Sequence, residues 1–384
     1  MKKQNKKIHL SVPYIDANEK KSILESVKKN EISSYGRNVP LFEKNIFKLT
    51  GAKYNLAVNS GSSALMLAFK SLGVIKNDLV ITQSYTFTAT TNTIIQSGGK
   101  PWLFDIDKEN FSINIDNVKK SLVNNCYKKG KFYYHRFTKR RVYAICPVFS
   151  FSIIPRLDQL KSLAKKFNLK IIFDSACAID SKFYKKHIID FADIAIFSFN
   201  GNKSFTTGSG GLISTNSKSY HSKAKSLSQN AKFKSNYVYL DIAHNLRMNN
   251  LNAAIGLEQI KKFNIIKKKK NLISEKYKLL ENIKNIKTLP CPDYSKHLLW
   301  INCLILSNSN DTRKIIYLLK NNGIQTHYFW RPMHLQITKK YFLIEKNMKY
   351  TNFIWNKIVP LPSSAGLKNI DQNKVINLIK KYYK

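Results

Sequence analysis

Acidic residues are scarce. Only 23 of the 384 residues are Asp or Glu, against 65 Lys and Arg, and the formal net charge is +42. Such an excess can mark a nucleic-acid or membrane-surface partner. Here the basic residues run from KKQNKK at the start to KKYYK at the end. They are confined to no module, and no recognised nucleic-acid-binding motif accompanies them, so a nucleic-acid partner is not expected. Lys, Asn and Ile are abundant together, which reads as compositional bias. The densest run, KKKK at 267–270, falls in a helical pattern and reads as a solvated face.

Cysteine is also sparse. The five residues Cys126, Cys146, Cys177, Cys291 and Cys303 are odd in number and form no CxxC pair, so neither a disulfide framework nor a zinc site is expected. No stretch is apolar over the length of a bilayer, and the basic start is not followed by the apolar core of a signal peptide. A reducing, cytoplasmic setting without a membrane anchor is the expectation. Hydrophobic content of 43% is ordinary for a globular chain and leaves ample material for a core.

What is present is an alternation. YNLAV (54–58), DLVIT (78–82), WLFDI (102–106), VYAIC (142–146), KIIFD (170–174) and IAIFSF (194–199) read as buried strands. SSALMLAFKSLG (62–73) reads as a helix stopped by Gly73. LDQLKSLAKKFN (157–168) has apolar residues at 157, 160, 163, 164 and 167, a helical spacing. Strands alternating with helices predict an α/β fold, a mostly parallel sheet covered on both faces. The basic, aromatic segment 124–141 interrupts the pattern. A long helical run (251–283) then leads to a smaller C-terminal α+β domain holding LLWINCLIL (298–306) and a final helix. The expected division is 1–258 and 259–384.

In such sheets ligands gather at the carboxyl ends of the strands. Four segments fall there. NSGSSAL (59–65) is a strand end, a turn and a helix start. Its free amides can hold a phosphate, with Gly61 allowing close approach and Ser62 and Ser63 adding hydroxyls; a serine N-cap explains it equally. In SYTFTATTNTI (84–94), Phe87 can stack on a planar ring or belong to the core. Asp174 ends the strand KIIFD, where a buried carboxylate wants a cationic partner such as a protonated pyridine, or caps a helix. FSFNGNKSFTTGSGG (197–211) carries Ser198 and Lys203. A P-loop requires GxxxxGK[ST], and Asn202 precedes this lysine, so that reading fails. A Schiff-base lysine requires a phosphate cradle, a stacking aromatic and a carboxylate for the pyridine nitrogen, and the other three segments offer them.

Together these motifs resemble the DegT/DnrJ-type sugar aminotransferases, pyridoxal-phosphate enzymes of fold type I. The resemblance begins at Pro13 and SSYGRNVPLFEK (33–44) and continues through the segments above and HNLRMNNLNAAIGLEQI (244–260). It ends in WRPMHLQ (330–336) and VPLPSS (359–364). GNK, TTGSGG, WRPMHLQ and the 124–141 excursion are most similar to the branch that aminates nucleotide-linked 4-keto sugars on routes to legionaminic acid and bacillosamine.

The resemblance implies roles. Lys203 is the catalytic lysine that carries pyridoxal 5'-phosphate. Asp174 faces the pyridine nitrogen, Phe87 stacks on the ring, and Gly61, Ser62, Ser63 and Ser198 hold the phosphate. Asn245 reaches the phosphate of the neighbouring subunit, which implies a homodimer with shared active sites. The amino donor is glutamate and the acceptor a nucleotide-linked keto sugar. Arg331 and His334 face the nucleotide or a subunit interface. Two positions depart from the family. Cys177 stands where Gln or His usually bonds the ring hydroxyl, and a thiol is a weak donor. PVFSFSIIPRLDQL (147–160) replaces a histidine-containing loop beside the active site. Two other readings compete: a sugar dehydratase of the same family, in which histidine commonly replaces the lysine, and a non-catalytic basic nucleic-acid-binding protein on this scaffold.

Overall fold

The computed structural model describes residues 7–233 and 237–384. Each apolar run identified above forms a strand: β1 (Tyr54–Val58), β2 (Leu79–Gln83), β3 (Lys100–Phe104), β4 (Arg141–Cys146), β5 (Lys170–Asp174) and β6 (Ile194–Ser198). A further strand, β7 (Gly211–Thr215), follows the Lys203 segment. The sheet runs β1-β7-β6-β5-β4-β2-β3. β6, β5, β4, β2 and β3 are parallel, whereas β7 is antiparallel to both β1 and β6.

Alternate residues feed two cores, as the period of two requires. Ile81, Ile145, Phe173, Phe197 and Leu212 belong to one cluster; Val80, Ala144, Ile172, Ile196 and Ile213 belong to the other. Both faces are therefore covered, which is why the strands read as continuous apolar runs rather than as alternations.

The helices follow from local signals. α1 (Ala17–Lys28) opens with a capping box between Asp16 and Glu19. α2 (Gly61–Leu72) is capped by the Ser60 hydroxyl and ends at Gly73 with φ 97°. α3 is Thr88–Gln96 and α4 is Leu157–Phe167, the latter closed by Asn168 in the left-handed region. The 124–141 excursion is largely a hairpin, Cys126–Lys129 against Phe132–His135, which pairs with the start of β4. It lies at the end of the sheet opposite the carboxyl termini of the parallel strands.

One long helix, α5 (Asn250–Lys278), joins the two halves. Its first turns pack Ala253 and Phe263 into the large core, and its last turns pack Ile273 and Tyr277 into the small one. The KKKK run is not a uniform solvated face. Lys268 and Lys269 are exposed, but Lys267 pairs with Asp180, and Lys270 faces inward at 3% exposure.

The small unit is an antiparallel sheet of β8 (Ile286–Thr288), β9 (Asn302–Leu306) and β10 (Ile358–Leu361), with α6 (Ser309–Asn321) and α7 (Asn369–Tyr382). The two units exchange segments. Ile8 forms a bridge with Ile324 and packs in the small core, while Leu343–Ile344 adds an edge to β3 of the large sheet. Among the described residues no helix is long and apolar enough to cross a membrane.

Candidate active site

The carboxyl ends of β5 and β6, the start of α2 and the N-terminal end of α3 converge on a cavity of about 570 Å³. Gly61, Ser62, Phe87, Asp174, Cys177, Ser198 and Lys203 all line it. They come from four segments spread between positions 61 and 203, and the parallel sheet brings their strand ends to one edge.

Lys203 sits on the loop between the antiparallel strands β6 and β7. The loop is folded back on itself: the Phe199 amide donates to Gly210 O (2.8 Å), the Thr207 amide to Phe199 O (3.0 Å) and the Lys203 amide to Asn200 O (2.9 Å). The next residue back, Asn202, is held from two sides. Its carbonyl accepts from Ser11 Oγ (2.8 Å) and from Trp300 Nε1 (2.7 Å). The Lys203 Nζ donates to Cys177 Sγ at 3.0 Å and lies 4.2 Å from the centroid of the Trp300 ring.

Asp174 is 5% exposed. Thr90 Oγ1 donates to its Oδ2 (2.6 Å), and the Ala176 amide donates to its Oδ1 (3.2 Å). Burial pushes its carboxyl above the usual carboxylate range, with Thr90, Ala176 and Lys203 pulling the other way. Burial likewise pushes the Cys177 thiol up, against the pull of Lys203. A cation brought into the cavity beside Asp174 would favour its ionised form.

The first amides of α2 have no acceptor within the helix and open toward the same space. A Cβ on Gly61 would stand 2.7 Å from Ser198 Cβ, and one on Gly211 would stand 2.2 Å from Ser60 O. Glycine at both positions lets β7, the start of α2 and the Ser198 side chain close together. The Phe87 ring is 57% exposed although it lines a cavity, 6.5 Å from Trp330.

These features fit pyridoxal phosphate. An amide-and-hydroxyl cradle suits its phosphate, a buried carboxylate suits its ring nitrogen, an uncovered aromatic face suits its ring, and a lysine amine suits its aldehyde.

The remaining sequence-derived residues lie elsewhere. The Ser63 hydroxyl is taken up by the cap, donating to Asn59 Oδ1 (2.6 Å) and contacting Ser60 Oγ (2.9 Å). Asn245 is exposed, outside the cavity of its own chain, with Oδ1 accepting from Arg247 Nε (3.2 Å). Arg331 is exposed. His334 is clipped to the end of β2 through Ser84 Oγ (2.6 Å) and to Asn352 Oδ1 (2.9 Å), and burial holds its imidazole below the usual histidine range.

The cavity also takes in Trp300, His327, Phe329 and Trp330 on the small-unit side, which sequence reasoning missed, and Phe149 and Ser150 from the 147–160 loop, which it placed beside the active site. Trp300 stands in LLWINCLIL, a run assigned only to the small domain. Trp330 opens WRPMHLQ, next to Arg331. Phe151, Trp330 and Trp300 form a near-parallel series, with interplanar angles of 12° and 14°.

The fold is shared with solved aminotransferases. Helicobacter pylori PseC, an aminotransferase involved in the biosynthesis of pseudoaminic acid, superposes with a TM-score of 0.88 at 24% identity, over 98% of this chain and 99% of that one. Residues 13–380 match the model of the DegT/DnrJ/EryC1/StrS aminotransferase family, and the chain belongs to that family. It is a pyridoxal-phosphate-dependent aminotransferase. Among curated relatives, a GDP-perosamine synthase of Caulobacter vibrioides is 30% identical over 375 residues, covering 96% of each chain. A UDP-4-amino-4,6-dideoxy-N-acetyl-beta-L-altrosamine transaminase of Campylobacter jejuni is 31% identical over 277 residues, covering 71% of this chain and 70% of that one.

Proposed function

We propose that this enzyme moves an amino group from glutamate to the keto carbon of a nucleotide-linked 4-keto-6-deoxy sugar, in the biosynthesis of a bacterial surface polysaccharide or nonulosonic acid. The observation that carries the reading is the convergence of Lys203, Asp174, Phe87, Ser198 and the start of α2 on one cavity. The names of the relatives support the acceptor class: a GDP-linked and a UDP-linked amino sugar are the products or substrates they denote.

When bound, pyridoxal phosphate supplies an electron sink through which amino group and proton are exchanged. In this reading the chain's own groups do the rest. Gly61, Ser62 and Ser198 hold the phosphate, with Ser63 supporting the turn. Asp174 keeps a positive charge on the ring nitrogen, and Phe87 covers one ring face. The Lys203 Nζ is the attachment point and, once displaced by the donor, the base that takes the donor's Cα proton and gives it up again. The keto sugar then passes through the same steps in reverse.

A homodimer with shared sites belongs to the proposal. Asn245 is exposed beside Tyr237, Leu240 and Ile242, apolar side chains left open to solvent. A second copy covering that surface would bring Asn245 to the partner's phosphate. Cytoplasmic location, with the legionaminic acid and bacillosamine routes as setting, follows from the same reading, as does the assignment of Arg331 and His334 to the nucleotide side.

The test is spectroscopic. The protein purified with pyridoxal phosphate should show a visible absorbance band that glutamate converts to the pyridoxamine form. Lys203→Ala should abolish the conversion. A panel of UDP-, GDP- and dTDP-linked 4-keto sugars should then restore the band with one of them; a wild-type protein that shows no band would sink the proposal.

A further inference from the structure

Lys270 has no place in the reaction described above, yet it is the most enclosed lysine of the KKKK run. Among the described residues it has no acidic partner within ion-pair distance. Its Nζ donates instead to two backbone carbonyls from different segments, Trp300 O at 3.0 Å and Ser363 O at 2.7 Å. Burial pushes the ammonium down to about 7. The neutral amine still has two N–H groups for the two carbonyls, so both bonds survive loss of the proton.

Trp300 is anchored at every polar atom. Its amide donates to Ser152 Oγ (3.1 Å), its carbonyl accepts from Lys270, and its indole N–H donates to Asn202 O (2.7 Å). The indole face lies 4.2 Å from the Lys203 amine. Trp330 lies near-parallel to the same indole, with ring centroids 6.3 Å apart. The chain of contacts runs from α5 through the Trp300 backbone to the loop that carries Lys203.

We propose that Lys270 and Trp300 form a clamp that positions the Lys203 amine. Lys270 fixes the Trp300 backbone, the indole N–H fixes the peptide just before Lys203, and the indole face receives the amine whenever it is free and protonated. Aromatic faces attract cations, so the ring offers the released amine a defined resting place. Both are positioning residues, and the proposal rests on Lys203 being the lysine that binds the cofactor.

The experiment uses the holoenzyme and four variants: Lys270→Met, Trp300→Phe, their double variant, and Tyr277→Phe. Tyr277 is a control because its hydroxyl, two turns further along α5, bonds Pro362 O (3.0 Å), next to Ser363, without touching Trp300. Two quantities are read, the pH midpoint of the cofactor's visible band and the steady-state constants. Lys270→Met and Trp300→Phe should each move the midpoint by about half a unit or more and lower kcat about tenfold, with KM for the acceptor within about twofold. The double variant should be no worse than the worse single one, because both act through one contact chain. Tyr277→Phe should match the wild type. A wild-type midpoint and kcat in Lys270→Met, additive effects in the double variant, or a Tyr277→Phe variant that behaves like Lys270→Met would each overturn the clamp. If Lys270→Met does not fold, wild-type behaviour in Trp300→Phe overturns it alone. Failure of the functional reading is distinct: the wild type would then show no band at all.

Discussion

The Lys203 amine donates to the sulfur of Cys177 at 3.0 Å. The sulfur belongs to a residue three positions beyond Asp174, on the turn that leaves β5, and the amine comes from the β6–β7 loop. The resemblance to the family led us to expect a Gln or His at that position. Burial pushes the thiol up, and it offers the lysine only a weak acceptor.

Cys177→Ala tests how much that contact matters. A neutral thiol acceptor contributes little, so kcat should stay within about threefold of wild type. Single-turnover absorbance with glutamate is the measurement. A loss beyond about tenfold would mean that the sulfur takes part in proton movement.

Asp174→Asn keeps the shape and the Thr90 contact but removes the charge. Burial raises the Asp174 carboxyl, a cation beside it favours the ionised form, and the amide cannot hold that cation. The half-reaction with glutamate should slow by about a hundredfold or more. Stopped-flow absorbance reads it, and a variant as fast as wild type would remove Asp174 from the ring nitrogen.

Phe87 separates binding from stability. A ring 57% exposed contributes little to the fold, so Phe87→Ala should melt within about 2 °C of wild type when both lack cofactor. Cofactor affinity should fall about tenfold through loss of the stacking surface. Equal affinity in titrations of the two proteins would show that the ring covers nothing.

His297 gives the protein an acid-side weakness. Burial pushes its imidazole from 6.5 down to about 4, with Nδ1 against Ser295 Oγ at 2.7 Å. Between those values the unfolded chain binds the proton and the folded one does not, so stability falls as pH drops from 6.5 toward 4. The contribution is at most about 3 kcal/mol. Denaturant titrations of wild type and His297→Gln should diverge across that window, with the variant losing less. Parallel curves would place the acid sensitivity elsewhere.

The strands, the α/β class and the residues around Lys203 were legible in the sequence because each depends on a short-range pattern. KIIFD announces a buried strand with a polar end by composition alone, and the N-terminus of α2 is written in SGSS. The antiparallel β7 was not legible, since GLIST carries only Leu and Ile among small residues and strand direction leaves no mark on composition. The burial of Lys270 was hidden for a related reason: four lysines in a row look solvated until the small unit closes over one of them.

By itself the sequence determined which groups are available: a lysine among small residues, a carboxylate at a strand end, an aromatic after another strand, glycine where chains meet. Their coincidence within one cavity was decided by tertiary structure, because it depends on which strand ends stand side by side. The same holds for Trp300, Phe329 and Trp330, which reach the cavity only when the small unit folds back on the large sheet. Local pattern encodes an element and the side chains it bears. The distance between two elements is set by how their apolar faces pack, and no single segment contains it.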